Sequence, residues 1–301
     1  MKNFLTLKSF SKSDLEEILQ RAIELKALKK QGACPQTLKG KTLAMIFEKS
    51  STRTRVSFEV GMALLGGHAI YLNQDVSQIG RGESYGDTAK VLSRYADLIL
   101  FRTFEHQRLE ELAKHASVPV INGLTDAFHP CQLVADLVTL KEKGKDLSKM
   151  IVAYVGDGNN MTHSWIVASH IFGFELRVAT PKGFEPDQTI LKEHNDHNRI
   201  ILNADVNVAV QDADVIVTDT WFSMGQEVSE QKKKAFAPFQ VNLALVKKAK
   251  PDVLVLHCLP AHREEEITSE VLDGPHSVVF DEAENRLYGQ MAVMERLGEF
   301  L

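Results

Sequence analysis

The chain has too few cysteines for a disulfide scaffold. Cys34, Cys131 and Cys258 are the only three in 301 residues. They are odd in number and far apart, which fits a reducing cytoplasm. No apolar run approaches the ~18 residues that a membrane helix needs. The opening Met1-Lys2-Asn3-Phe4-Leu5-Thr6-Leu7-Lys8 has no apolar core and no cleavage site, so no secretory leader is expected. Positive charge is not in excess either: 35 Lys and Arg stand against 40 Asp and Glu, a formal net charge of −5. A domain-wide basic surface for a nucleic-acid backbone is therefore excluded, and any anion site has to be local. Internal repeats and low-complexity segments are also missing, which excludes a fibrous repeat.

What is present is ordinary soluble globular composition, with 44% hydrophobic and 25% charged residues. A single core stops growing at about 250–300 residues, so two domains of roughly 150 each are expected. The first helix is signalled by a capping box with Ser13 as N-cap and Glu16 at N3. Leu15, Ile18, Leu19, Ala22 and Ile23 then repeat at helical spacing. Beyond it, short apolar runs alternate with helical patterns. Strands are expected at Thr42–Phe47, His68–Leu72, Leu98–Arg102, Val118–Ile121, Met150–Val155, Leu176–Ala179, Val215–Asp219, Val253–Leu256 and Val278–Phe280. Helices are expected at Arg53–Leu65, Ser84–Tyr95, Leu109–His115, Cys131–Lys143, Met161–Phe172 and from Ala283 to about Leu297. Fully apolar strands alternating with helices mean parallel sheets covered on both faces. The fold class is α/β: two doubly wound parallel-sheet domains, with the C-terminal helix packing back on the first. The expected division is 1–130 with the C-terminal helix, about 284–301, and 131–283. In such sheets ligands sit outside the carboxyl ends of the strands.

The candidate chemistry lies at those ends. Glu48-Lys49-Ser50-Ser51-Thr52-Arg53-Thr54-Arg55 follows a strand and opens a helix. Free N–H groups, the helix dipole, Ser and Thr hydroxyls and the planar fork of Arg53 together make a phosphate cradle without P-loop glycines. Arg102 ends an apolar strand, where a structural ion pair is the competing explanation. His129-Pro130-Cys131-Gln132 enters a helix. Gly156-Asp157-Gly158-Asn159-Asn160-Met161 half-resembles a dinucleotide loop, but Met161 replaces its third glycine and no acid follows the next strand to hold a ribose. The two asparagines suit a small zwitterion instead. Asp219-Thr220-Trp221-Phe222-Ser223-Met224-Gly225 offers an amine partner and a closing turn. His257, Cys258 and His262 fit no standard zinc spacing, so no metal is expected. Glu284-Asn285-Arg286 opens the last helix, and Lys232-Lys233-Lys234 reads as a solvated face.

Taken together, these strings resemble the carbamoyltransferases over essentially the whole chain, most closely those acting on ornithine. Ser51-Thr52-Arg53-Thr54-Arg55 is similar to the family's carbamoyl-phosphate motif and His129-Pro130-Cys131-Gln132 to its second signature. Asp219 with Ser223-Met224-Gly225, and His257-Cys258-Leu259-Pro260, are similar to the ornithine-specific loops. The resemblance implies that Ser51, Thr52, Arg53 and Thr54 hold the phosphate. It implies that Thr54, Arg102 and His129 polarise the carbonyl, that Gln132 meets the carbamoyl nitrogen and that Arg286 completes the carbonyl side. Gln78, Cys258 and Leu259 join the carbamoyl-phosphate set, with Gln78 serving a neighbouring subunit. Asn160, Asp219, Ser223 and Met224 would hold ornithine, with Cys258 facing its δ-amine. Arg81-Gly82-Glu83 departs from relatives that carry a polar side chain where this chain has Gly82. The implied catalytic residues are Arg102, His129, Cys258 and Arg286, and the implied assembly is a cytoplasmic homotrimer with no metal and no organic cofactor. A dinucleotide-dependent dehydrogenase, an inactive binding module, and a carbamoyltransferase for putrescine or acylated ornithine are the alternatives.

Overall fold

A computed structural model of the protein describes residues 3–74, 78–195, 197–222 and 229–299. They divide into two compact units, 1–138 with 284–301, and 139–283.

The first unit opens with α1 (Lys12–Lys30), whose N-cap is Ser11 and not Ser13. Ser11 Oγ accepts from the Asp14 N–H, and the Asp14 carboxylate accepts from the Ser11 N–H, 3.1 Å each. This start places Phe10 before the cap and Leu15 at the fourth helical position, both buried, the arrangement of a hydrophobic staple. Starting at Ser13 would put Lys12 in the place of Phe10. The strands and helices then alternate: β1 (Thr42–Phe47), α2 (Thr52–Leu64), β2 (His68–Asn73), α3 (Tyr85–Leu92), β3 (Leu98–Arg102), α4 (His106–His115), β4 (Val120–Leu124) and α5 (Pro130–Glu142). The four strands are parallel in the order β2-β1-β3-β4. Leu43 to Phe47 are all buried, and each such Leu, Ile or Phe side chain contributes about 1.5–3 kcal/mol.

The second unit contains β5 (Ile151–Val155), α6 (Asn160–Phe172), β6 (Glu175–Ala179), α7 (Gln188–His194), β7 (Ile200–Asn203), α8 (Val206–Val210), β8 (Val215–Thr218), α9 (Glu230–Phe236), α10 (Leu243–Val246), β9 (Leu254–His257) and α11 (Ser269–Leu272). Its parallel sheet runs β7-β6-β5-β8-β9. The strand expected at Val278–Phe280 does not form. Ser277 makes one bridge to Val255, and the chain then enters α12 (Val279–Gly298). Two acids in the first turn of α12, Asp281 and Glu282, complement the helix dipole and favour the earlier start.

The later part of α12 packs on the first unit. A Cβ on Gly61 of α2 would stand 3.1 Å from Met291 Cγ and 3.2 Å from Met294 Cε, so glycine permits the close approach of the two helices. Lys26 donates to Asn285 Oδ1 at 2.8 Å, and Arg21 pairs with Glu295 at 2.7 Å.

In each sheet the strand order reverses once. In the first the reversal lies between β1 and β3, in the second between β5 and β8. Those crevices are where an open parallel sheet takes its ligands. Ser51 to Thr54, Arg102, Asn160 and Asp219 stand at or just after the carboxyl ends of these four strands.

Candidate active site

In the first unit, Ser51 caps α2: its Oγ accepts the Thr54 N–H at 3.2 Å. The Ser51 hydroxyl proton stays free to donate outward, and the N–H groups of Thr52 and Arg53 lie at the positive helix end. Thr54 is fully buried and acts as an acceptor hub. Its Oγ1 receives Arg286 Nη2 at 2.8 Å and Arg102 Nη1 at 3.4 Å. Arg286 Nη1 donates to Gln132 Oε1, and Gln132 Nε2 donates to Asp136 Oδ1 at 2.8 Å. Four predicted residues, Thr54, Arg102, Gln132 and Arg286, therefore form one hydrogen-bonded set. The second guanidinium is held from behind by a chain ending on a buried carboxylate, which fixes where its remaining N–H groups point.

His129 is buried beside this set. Burial first, then the positive charges of Arg286, Arg102 and Arg53, hold its imidazole well below the ordinary 6.5. A neutral ring donates a hydrogen bond to a carbonyl oxygen without losing its proton at neutral pH. The unfolded chain binds a proton near 6.5 that the native state refuses, so stability falls as pH drops below that value. Replacing His129 by Asn should flatten the dependence. Melting curves between pH 7.5 and 5.5 test this, with a wild-type loss steeper than the variant's by up to about 1.4 kcal/mol per pH unit. Parallel slopes would mean that His129 titrates normally.

Arg53 differs from the other two arginines. It is partly exposed, and its guanidinium hydrogen-bonds no described side chain. Glu48, not foreseen as a site residue, anchors the loop leading to it. The buried Glu48 carboxylate accepts Tyr85 Oη at 2.9 Å, the Thr103 hydroxyl and Arg108 Nη1 at 3.3 Å. A charged residue directly after an apolar strand was its only sequence signal. Gln78 stands apart from the set: it is exposed, on the loop that follows the edge strand β2.

In the second unit, Asp219 is the centre. Its carboxylate receives Asn159 Nδ2 at 2.9 Å, the Thr220 N–H at 2.7 Å and the Cys258 thiol at 3.1 Å. The sequence presents Asn159 only as half of an asparagine pair; it also caps α6, its Oδ1 accepting the Met161 N–H at 2.9 Å. Asn160 is the first residue of α6. Leu259 follows Cys258 in left-handed backbone, φ 56°. Ser223 and Met224 lie outside the described residues.

Atoms of Asp219, His257 and Cys258 lie within 4.8 Å of one another, yet His257 has no lone pair to give a metal. Its Nδ1 accepts the Leu259 N–H at 2.9 Å, so Nε2 carries the proton and donates to Glu266 at 3.0 Å. Lys232 is not a solvated residue. Its ammonium pairs with Asp157 Oδ2 at 2.7 Å, and each side chain is 12% exposed. Lys234 is exposed, and Lys233 pairs with Glu265 at 2.8 Å.

Two parallel α/β units, one presenting arginines and a capped helix start and the other a hydrogen-bonded carboxylate beside a thiol, describe a group-transfer enzyme for an anion and an amine. Residues 2–142 match the carbamoyl-P binding domain, and residues 148–297 the Asp/Orn binding domain, of aspartate/ornithine carbamoyltransferase. The chain belongs to the aspartate/ornithine carbamoyltransferase family. The ornithine carbamoyltransferase of Bacillus subtilis is 54% identical, the match covering 98% of this chain and 93% of the relative. That of Hydrogenovibrio crunogenus is 51% identical, over 99% and 98%. The solved ornithine carbamoyltransferase from Pyrococcus furiosus superposes with a TM-score of 0.93 at 52% identity, covering 97% of this chain and 96% of that one.

Proposed function

We propose that this chain transfers the carbamoyl group of carbamoyl phosphate to the δ-amine of L-ornithine, giving L-citrulline and phosphate. The observation that carries the reading is the separation of chemistry between the two units. The first gathers Arg53, Arg102, Arg286 and neutral His129 for a phosphorylated carbonyl compound. The second offers one carboxylate, Asp219, beside the Cys258 thiol for an amine.

The reaction needs no covalent intermediate on the protein. The neutral amine attacks the carbonyl carbon, negative charge grows on the carbonyl and leaving oxygens, and phosphate departs. Donors fixed before reaction stabilise that charge without reorganising. Arg102 and Arg286, locked through Thr54 and Gln132, are such donors, and His129 supplies a neutral one. Arg53 and the start of α2 hold the phosphate. Asp219 holds ornithine with Asn160, Ser223 and Met224, while Cys258 lies beside the δ-amine and moves its proton toward Asp219. An ammonium has no lone pair, so only the deprotonated amine reacts. The direct test is citrulline and phosphate formation from the two substrates. Equimolar products support the proposal; phosphate release without citrulline contradicts it.

The first unit is the carbamoyl-phosphate-binding domain and the second the ornithine-binding domain in this reading, set in arginine biosynthesis in the cytoplasm. The assembly is a homotrimer whose neighbouring subunit supplies Gln78. Val56 (50% exposed) and Val60 (40%) on α2, with Ile70 (43%) on edge strand β2, leave apolar surface on the unit that bears Gln78, as an interface would. Arg53→Ala and Gln78→Glu homotrimers should both be inactive. After joint unfolding and random reassembly, about a quarter of sites should be intact under closed cyclic symmetry. Mixed trimers that stay inactive would place both residues in one subunit's site.

A further inference from the structure

Lys232, on α9, is not among the residues expected to touch ornithine, and it lies in a setting built for one ammonium group. Its Nζ stands 2.7 Å from Asp157 Oδ2 and 5.2, 5.3 and 5.3 Å from the ring centroids of Phe184, Phe222 and Phe236. Removing an ammonium from water is costly unless a counter-charge and ring faces replace the lost hydration, and here both do.

The cage joins the two loops that build the amine site. Asp157 follows β5. After it Gly158 donates its N–H to the Phe184 carbonyl at 2.9 Å, and a Cβ on Gly158 would stand 2.3 Å from Pro186 N, so this turn is pressed against one cage wall. Asn159, next in sequence, holds the Asp219 carboxylate and caps α6 at Asn160. Phe222, another wall, follows Asp219 by three residues on the loop after β8. The Lys232 ammonium therefore grips the β5–α6 loop through Asp157 and the β8 loop through Phe222.

We propose that Lys232 is a positioning residue that sets Asn159, Asn160 and Asp219 in register for the amino-acid substrate, a role that rests on the carbamoyl-transfer reading above. It touches neither substrate. Its loss should weaken ornithine capture and spare carbamoyl phosphate.

The test compares Lys232→Met, which fills the cage without charge, with Lys232→Arg, which keeps the charge. Steady-state kinetics of Lys232→Met should show the KM for ornithine rising about tenfold or more, with the KM for carbamoyl phosphate unchanged. Lys232→Arg should recover most of the loss. Amide hydrogen exchange, which needs no turnover, should quicken at 156–160 and 219–222 in Lys232→Met. A wild-type ornithine KM with unchanged exchange would overturn the proposal. So would equal loss toward both substrates accompanied by a lower melting temperature, the mark of a purely structural lysine. Wild-type protein that makes no citrulline would refute the carbamoyl-transfer reading instead, and the exchange data would still decide whether Lys232 couples the two loops.

Discussion

Arg53→Ala should lose at least about a hundredfold in kcat/KM for carbamoyl phosphate, because one guanidinium gripping two phosphate oxygens makes two charge-assisted bonds of about 1.5–3 kcal/mol each. The melting temperature of the unliganded protein should not move. That combination follows from the difference among the three arginines. Arg102 and Arg286 are buried and donate to Thr54 Oγ1, so removing either also breaks a structural network. Arg53 is partly exposed at the second position of α2, and its guanidinium hydrogen-bonds no described side chain. Steady-state kinetics with thermal melting checks both halves. Wild-type use of carbamoyl phosphate by this variant would mean that the phosphate sits elsewhere.

Asp219→Asn should cost about a hundredfold or more in kcat/KM for ornithine, while calorimetric affinity for carbamoyl phosphate stays that of the wild type. The carboxylate is the acceptor for Asn159 Nδ2, the Thr220 N–H and the Cys258 thiol. An amide keeps the shape, removes the charge and turns one donor toward another donor, because the Asn159 oxygen is committed to the start of α6. Loss of a charge partner in a half-buried site accounts for the size of the effect. An unchanged ornithine KM would remove Asp219 from the amine site. Equal losses toward both substrates would mean that it acts only through the fold.

Much of this architecture was legible in the sequence because parallel strands buried on both faces leave unbroken apolar runs. The expected bounds Thr42–Phe47 and Leu98–Arg102 match β1 and β3 residue for residue. Elements with little apolar periodicity leave no such signal. Strand β7 has Ile201 and Leu202 exposed at the sheet edge, and the four- to seven-residue helices α7 to α11 are too short for a helical period to show. Ser11 and Ser13 each stand three residues before an acid. Only the buried Phe10 on the N-terminal side distinguishes them, and that is a packing fact. Val278–Phe280 has strand composition, yet the acids after it belong to a helix start.

The candidate residues were found as strings at strand ends. How they are held is a matter of long-range partners that no local pattern encodes. Arg286 on Thr54 and Gln132, Asn159 across to Asp219, and Asp157 on Lys232 are such cases. Lys232 is the sharpest: a run of three lysines suggests solvent, and only the tertiary fold brings three phenylalanine rings around the first of them.

The central claim is that the amine site is built for ornithine. Its most direct test is the rate of carbamoyl transfer from carbamoyl phosphate to a panel of acceptors, L-ornithine, putrescine, acylated ornithine and L-aspartate, each at several concentrations with purified wild-type protein. Ornithine should exceed every other acceptor in kcat/KM by a wide margin, with citrulline as the product. Comparable kcat/KM for putrescine, acylated ornithine or aspartate would contradict the assignment.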